Sequence, residues 1–258
     1  MGPRSNYQMG SRSVLLTILL MISVASVLWL PDEIQPMIHA DGALTSITPI
    51  VIEKDNDLGA HPSVRSGSGT TLDPYVISDY SIDSTASGRY GIAIRNTTAN
   101  LIMRNLTIRV SGSSIGIYLR SYSWNSQNIV MKNITIIGGS YQVYLYIPVR
   151  VTISDCTFSN PSATGKVVYS YYGSEVLISN NTFNTPNMEM DLDYSSSVTF
   201  NLNRGTIHSY DHLRFRYSNF ANNSLSLYSV YLWSGYYSDF QGNELISRDG
   251  TYNLLTIV

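Results

Sequence analysis

From Tyr75 onward the chain alternates apolar and polar residues in short bursts. The segment VLISNNTF (176–183) shows the unit: an alternating triplet, a two-residue break, then a second alternating triplet. Alternation at period two marks a strand with one face inward and one outward. The same chemistry recurs at YVISDYSI (75–82), LIMRNLTI (101–108), IVMKNITI (129–136) and VTISDCTF (151–158). Looser copies are FNLNRGTI (200–207), SNFANNSL (218–225) and SDFQGNEL (238–245). The hydroxyl column reads Ser81, Thr107, Thr135, Thr157, Thr182, Thr206 and Ser224, with Glu244 last, about 23 residues apart on average. The break carries Asp79, Asn105, Asn133, Asp155, Asn180, Asn222 or Gly242, types that tolerate the left-handed backbone of a sharp turn.

A third strand precedes each pair: GIAIR (91–95), GIYLR (116–120), QVYLY (142–146), MDLD (190–193), LRFR (213–216) and VYLW (230–233). Val168 and Ser170 fill that slot in the remaining coil. Three short strands in twenty-odd residues make one coil of a β-helix, whereas a helical solenoid needs 3.6-periodic units. The expected class is all-β, a single-stranded parallel β-helix of about eight coils over residues 75–258. Inward residues should stack in columns such as Ile108, Ile136, Phe158, Phe183 and Ile207. Asn181, Asn223 and Asn243 also fall inward, where amides can satisfy one another along the axis.

The opening is different. Arg4 and Arg12 precede an uncharged run, VLLTILLMISVASVLWL (14–30), and Ile38-His39-Ala40 offers a loose cleavage site before Asp41. Residues 1–40 therefore read as a signal peptide or an N-terminal membrane anchor, and 41–74 as a cap or linker. Both readings put the remainder outside the cell or on its surface, with the membrane touched only through the N-terminal segment.

Composition narrows the function classes. Charged residues make up 13 % of the chain, against about 25 % in an average soluble protein. The net charge of −2 excludes a large basic patch, and with it a nucleic-acid partner. Tyr supplies 20 positions while Lys and Arg together supply 16, so neutral polar groups cover the surface. Such a surface suits an acidic or variable medium. Cys156 is the one cysteine, which rules out an intrachain disulfide or a cysteine metal cluster.

The opening SGSGTTLDPYVISDYSI (66–82) and the coils after it resemble secreted archaeal and bacterial β-helix proteins of the NosD-type and pectate-lyase-like repeat families. The likeness covers about residues 47–258. It implies a right-handed, pectin-lyase-like helix, with ITPIVIEKD (47–55) as the strand that caps its N-terminal end. Leu254 to Val258 looks like the start of another coil, so the β-helix is expected to be truncated at its C-terminus. In pectate-lyase-like and polygalacturonase-like enzymes the substrate groove runs along the face of the first strand.

That face carries the candidate chemistry. It reads Arg95, Tyr118 with Arg120, Tyr144 with Tyr146, Tyr169 with Tyr171, Asp191 with Asp193, Arg214 with Arg216, then Tyr231 with Trp233. Aromatic rings one coil apart offer sugars a row of amphipathic surfaces, so Tyr118, Tyr144, Tyr146, Tyr169, Tyr171, Tyr231 and Trp233 are the expected carbohydrate contacts. Asp191 and Asp193 would divide acid and base roles, or hold a hard cation such as Ca2+. Arg214 and Arg216 would grip an acidic sugar or act in β-elimination. The same residues also have a plain structural reading, as charge pairs and tyrosines on a sheet surface. No stretch matches the aspartate clusters of polygalacturonases or the arginine motifs of pectate lyases. The expected function is therefore non-catalytic binding of a polysaccharide or envelope component, with a polysaccharide lyase or glycoside hydrolase as the alternative.

Three further features complete the reading. The middle strand's outer stripe, Val76, Ile102, Val130, Thr152 and Leu177, is apolar enough to need cover. The NosD likeness implies copper accessory work, but His208, Asp211 and His212 are expected in a loop between coils, and Met190 inward, away from Met188. No metal site is expected there. Five N-glycosylation sequons start at Asn96, Asn105, Asn133, Asn180 and Asn222, four of them simply the turn Asn followed by the ladder hydroxyl.

Overall fold

The polar breaks bend the chain where the alternating triplets end. Asp79, Asn105, Asn133, Asp155, Asn180 and Asn222 all take left-handed backbone, with φ between 52° and 63°. In the early coils both triplets form one bent strand, as in Tyr75–Asp83, Leu101–Arg109 and Ile129–Ile137. Later the break separates two strands, as in Ser174–Ser179 and Thr182–Thr185. The computed structural model describes residues 44–86, 88–121, 128–213, 216–233, 237–248 and 255–257. The signal or anchor expected at 1–40 lies outside the described residues. Among the described residues, no helix is long and apolar enough to cross a membrane.

Among the described residues, successive coils pair in parallel to give two sheets of 14 and nine strands, here sheet 1 and sheet 2. The break-containing pairs build sheet 1 and the preceding strands build sheet 2. The fold is a parallel β-helix, and among the described residues it is all-β apart from one six-residue helix, Asp55–Ala60. Like residues stack rung on rung. One inward column runs Ile77, Met103, Met131, Ile153, Ile178, Phe200, Phe220 and Phe240. The rings of Phe200 and Phe220 stack at 4.9 Å, and those of Phe220 and Phe240 at 4.4 Å. Burying each such side chain contributes about 1.5–3 kcal/mol, repeated at every rung.

At the N-terminal end, Thr45–Ile47 pairs with Tyr80–Ile82 and Ile50–Ile52 pairs with Ile92–Ile94. Leu58 of the short helix is fully buried, and Asp55 accepts hydrogen bonds from Thr97 and Thr98. The cap is thus two strands and a helix turn rather than one strand. The coil count also differs from the expected eight. Sheet 2 stacks nine strands, because both the cap segment and Leu255–Ile257 add one.

Two loose repeats are out of register with expectation. Thr182 pairs with Arg204, and Arg204 with Ser224, so Arg204 rather than Thr206 continues the hydroxyl column. Phe183 accordingly faces Gly205, not Ile207. The turn residue of that coil is Leu202, at φ 55°, and the absence of Asn there hid the true alignment. In the next coil the sheet 2 strand is Ser209–Leu213, not 213–216, with Tyr210 pointing inward at 2 % exposure.

Candidate functional site

Three outward columns run along sheet 2, fixed by the strand register. The central one is Ala93, Tyr118, Tyr144, Tyr169, Asp191, Asp211 and Tyr231. Beside it lie Arg95, Arg120, Tyr146 and Tyr171, with Asp193 continuing that column through the Tyr172 N–H, which donates to its carbonyl. On the other side Tyr141 precedes Lys166 and Glu189. The face therefore changes character along the axis. Arginine marks one end, tyrosine the middle, and carboxylates with one lysine follow.

Rung spacing of about 4.8 Å forces neighbouring rings together. Tyr118 and Tyr144 lie 5.3 Å apart and Tyr144 and Tyr169 5.0 Å apart, tilted by 41° and 51°. Tyr146 stacks on Tyr171 at 5.8 Å, and Arg120 lies over the Tyr146 ring. The rings thus contact one another or arginine along the strip, and each of these tyrosines keeps part of its surface exposed. Burial, with the neighbouring Tyr118 next, raises the Tyr144 hydroxyl above its ordinary value, so it stays a neutral donor.

The acidic end is tightly connected. Lys166 Nζ lies 2.9 Å from Asp191 Oδ2 and 2.5 Å from Glu189 Oε2. Burial alone would lower the Lys166 pKa, but these two carboxylates outweigh it and hold the ammonium charged. Asp193 shares a hydrogen bond with Asp191, and burial followed by the Asp191 charge pushes it up to about 7. Asp211 is pushed up to about 6, first by burial and then by Glu189. Asp191 is 9 % exposed, and its Oδ1 meets no donor among the described residues. A carboxyl raised to about 7 beside a second carboxyl is a minimal candidate for acid and base work.

The structure brings together Tyr118, Tyr144, Tyr146, Tyr169, Tyr171, Asp191 and Asp193. It does not bring Arg216 with them. Arg216 pairs with Ser196 at the corner leading to sheet 1, and Asp211 takes the place assigned to an arginine. Arg214 and the Trp233 side chain lie outside the described residues; the Trp233 backbone ends the Ser229–Trp233 strand. Tyr231 aligns with Asp211, one rung beyond the acidic group. Asp211 and His212 sit in a strand rather than a loop, and the His208 ring packs 4.8 Å from Tyr228. Met190 is buried, pointing inward. Among the described residues, no group of three or more His, Cys, Asp or Glu is arranged to hold a metal ion.

Sequence reasoning missed Tyr141, Lys166, Glu189 and Asp211 on this face. Asp211 was legible in principle, since 20 residues separate it from both Asp191 and Tyr231. It also missed a second tyrosine set at the corner, where Tyr172 stacks on Tyr194 at 5.1 Å and Tyr217 on Tyr237 at 5.5 Å. Tyr217 and Tyr237 are 64 % and 83 % exposed.

No curated protein and no solved structure matches the chain. The family model described as "Right handed beta helix region" matches residues 58–204 and 122–251, overlapping spans that take in most of the chain. With the parallel rungs and stacked columns above, this chain belongs to the right-handed β-helix family.

Proposed function

We propose that the chain is an exported, non-catalytic binder of carbohydrate, taking a polysaccharide or a sugar-bearing envelope component along sheet 2. Support for export is the apolar run at 14–30 preceded by Arg4 and Arg12. The single observation that carries the binding reading is the continuous strip of Tyr118, Tyr144 and Tyr169 beside Tyr146 and Tyr171. Its rings and phenol hydroxyls repeat rung by rung, matching a ligand that is itself a repeat. Affinity electrophoresis through neutral and acidic polysaccharides should show retardation of the wild type without depolymerisation. Tyr144→Ala and Tyr169→Ala together should abolish it, and equal retardation of this double variant would rule the face out.

One observation favours the enzymatic alternative. Asp193, held up to about 7 beside Asp191, has the protonation behaviour of a general acid. Reducing-end or unsaturated-product release, lost in Asp191→Ala and Asp193→Asn, would support a lyase or hydrolase over a binder.

A further inference from the structure

Sheet 1 carries a trough on the opposite side of the coil wall from the core. Its floor is the outward stripe Ile102, Val130 and Thr152, one residue per rung, all partly exposed. The segment before Tyr75 covers only the first rung, where Ser66 pairs antiparallel with Val76 and the Arg65 N–H donates to the Val76 carbonyl. Thr71 and Pro74 then wall one end and leave a cavity of about 480 Å3. That volume is within the range of sites for small organic ligands.

The rim supplies charge. Asn100, Asn128, Arg150 and Glu175 occupy equivalent positions on four successive rungs, each immediately before a residue of the paired column Leu101, Ile129, Val151 and Val176. The amide donors are already committed: Asn128 Nδ2 donates to Asn100 Oδ1, and Asn100 Nδ2 to the Gly69 carbonyl. Arg150 is different. Its Nε is buried and meets no acceptor, and its guanidinium makes no ion pair among the described residues. A buried N–H of a charged group without an acceptor costs about 1–3 kcal/mol or more, so such groups ordinarily have a partner. Strand alternation puts Arg104 and Lys132 on the same outward face as Ile102 and Val130. Lys132 lies 3.9 Å from Asp155. The trough itself thus combines an apolar floor with the Arg150 cation on its rim, against Glu175 at its far end.

We propose that this trough binds a small organic carboxylate with an apolar body, its carboxylate on the Arg150 guanidinium and its body over Ile102 and Val130. An uncharged molecule of the same shape gains the floor but leaves Arg150 without an acceptor. A polar anion gains Arg150 but not the floor. The site is independent of the tyrosine face on sheet 2.

Hexanoate and hexan-1-ol, of equal chain length, separate these terms. In titrations of the full chain followed by methyl NMR, hexanoate should shift the Ile102 and Val130 resonances saturably, and hexan-1-ol should bind at least tenfold more weakly. Arg150→Gln should weaken hexanoate at least tenfold, and Glu175→Gln should leave it unchanged or tighter. Should Arg150→Gln fail to fold, Val130→Asp places a like charge on the exposed floor and should weaken hexanoate to the same degree. Equal binding of the alcohol, shifts confined to other methyls, or wild-type affinity in folded Arg150→Gln or Val130→Asp would overturn the proposal.

Discussion

Single residues in this protein act through the position they hold on a rung. Asn203 accepts from the Asn181 N–H and side-chain amide at 3.0 and 2.9 Å, and donates to the Ile178 carbonyl and to Asn223 Oδ1. Asn223 repeats the pattern with Asn243. Because this amide ladder is buried, Asn203→Ala strands donors on the rung below and should cost about 2–3 kcal/mol, measured by urea denaturation. Its neighbour Leu202 is the opposite case. It holds a left-handed turn at φ 55° and is 56 % exposed, where the other coils use Asn, Asp or, at Gly242, glycine. Leu202→Asn should therefore raise the unfolding free energy by about 0.5–1 kcal/mol. The sequons fall under the same logic: Asn133 Nδ2 donates to Asn105 Oδ1, and Asn105 Nδ2 to Asp79 Oδ1. The amide nitrogens of these two residues are committed to the stack.

Elements gain their chemistry from register. A shift of three residues in the strand at 209–213 puts Asp211 on the outer face of sheet 2 where arginine was expected, and adds a carboxylate to the cluster there. Lys166 on Gly165–Tyr171 is the ion-pair partner of the carboxylates on Met188–Asp191. Removing one partner of a largely buried pair leaves the other uncompensated. Lys166→Met should thus destabilise by about 2–4 kcal/mol, and Lys166→Arg, which keeps the charge, by less. Thermal melts of the two variants check both statements. An equal loss in both would mean that packing of the lysine stem, not its charge, is what matters.

For the molecule as a whole, the acidic end sets a pH dependence. Asp193 and Asp211 ionise at about 7 and about 6 in the folded state, above the 3.8 of an unperturbed Asp. Below pH 3.8 both states are protonated and these groups cost nothing. As pH rises, the unfolded chain releases its protons first, so folded stability falls, and the fall is complete once pH passes about 7. The melting temperature should decline from pH 4 to pH 7.5, and Asp193→Asn with Asp211→Asn should flatten the decline. A profile that rises over this interval would contradict the burial of these carboxyls.

The winding of the chain was legible in its sequence because a β-helix repeats a local rule. Alternation, a left-handed turn residue and a hydroxyl recur every rung, and each can be read without knowing its partners. So the fold, the aromatic column of Tyr118, Tyr144 and Tyr169, and the outward placement of Asp191 came from residue order alone. Where the cues lapsed, at Leu202, Gly205 and Tyr210, only the hydrogen-bonded register could align the rungs, since spacing between coils varies and no local signal counts it. Contacts across rungs were beyond sequence for the same reason. The pairing of Lys166 with Asp191, the raised Asp193 and the trough beside Arg150 all depend on which residues end up about 4.8 Å apart along the axis, a distance the three-dimensional stack sets.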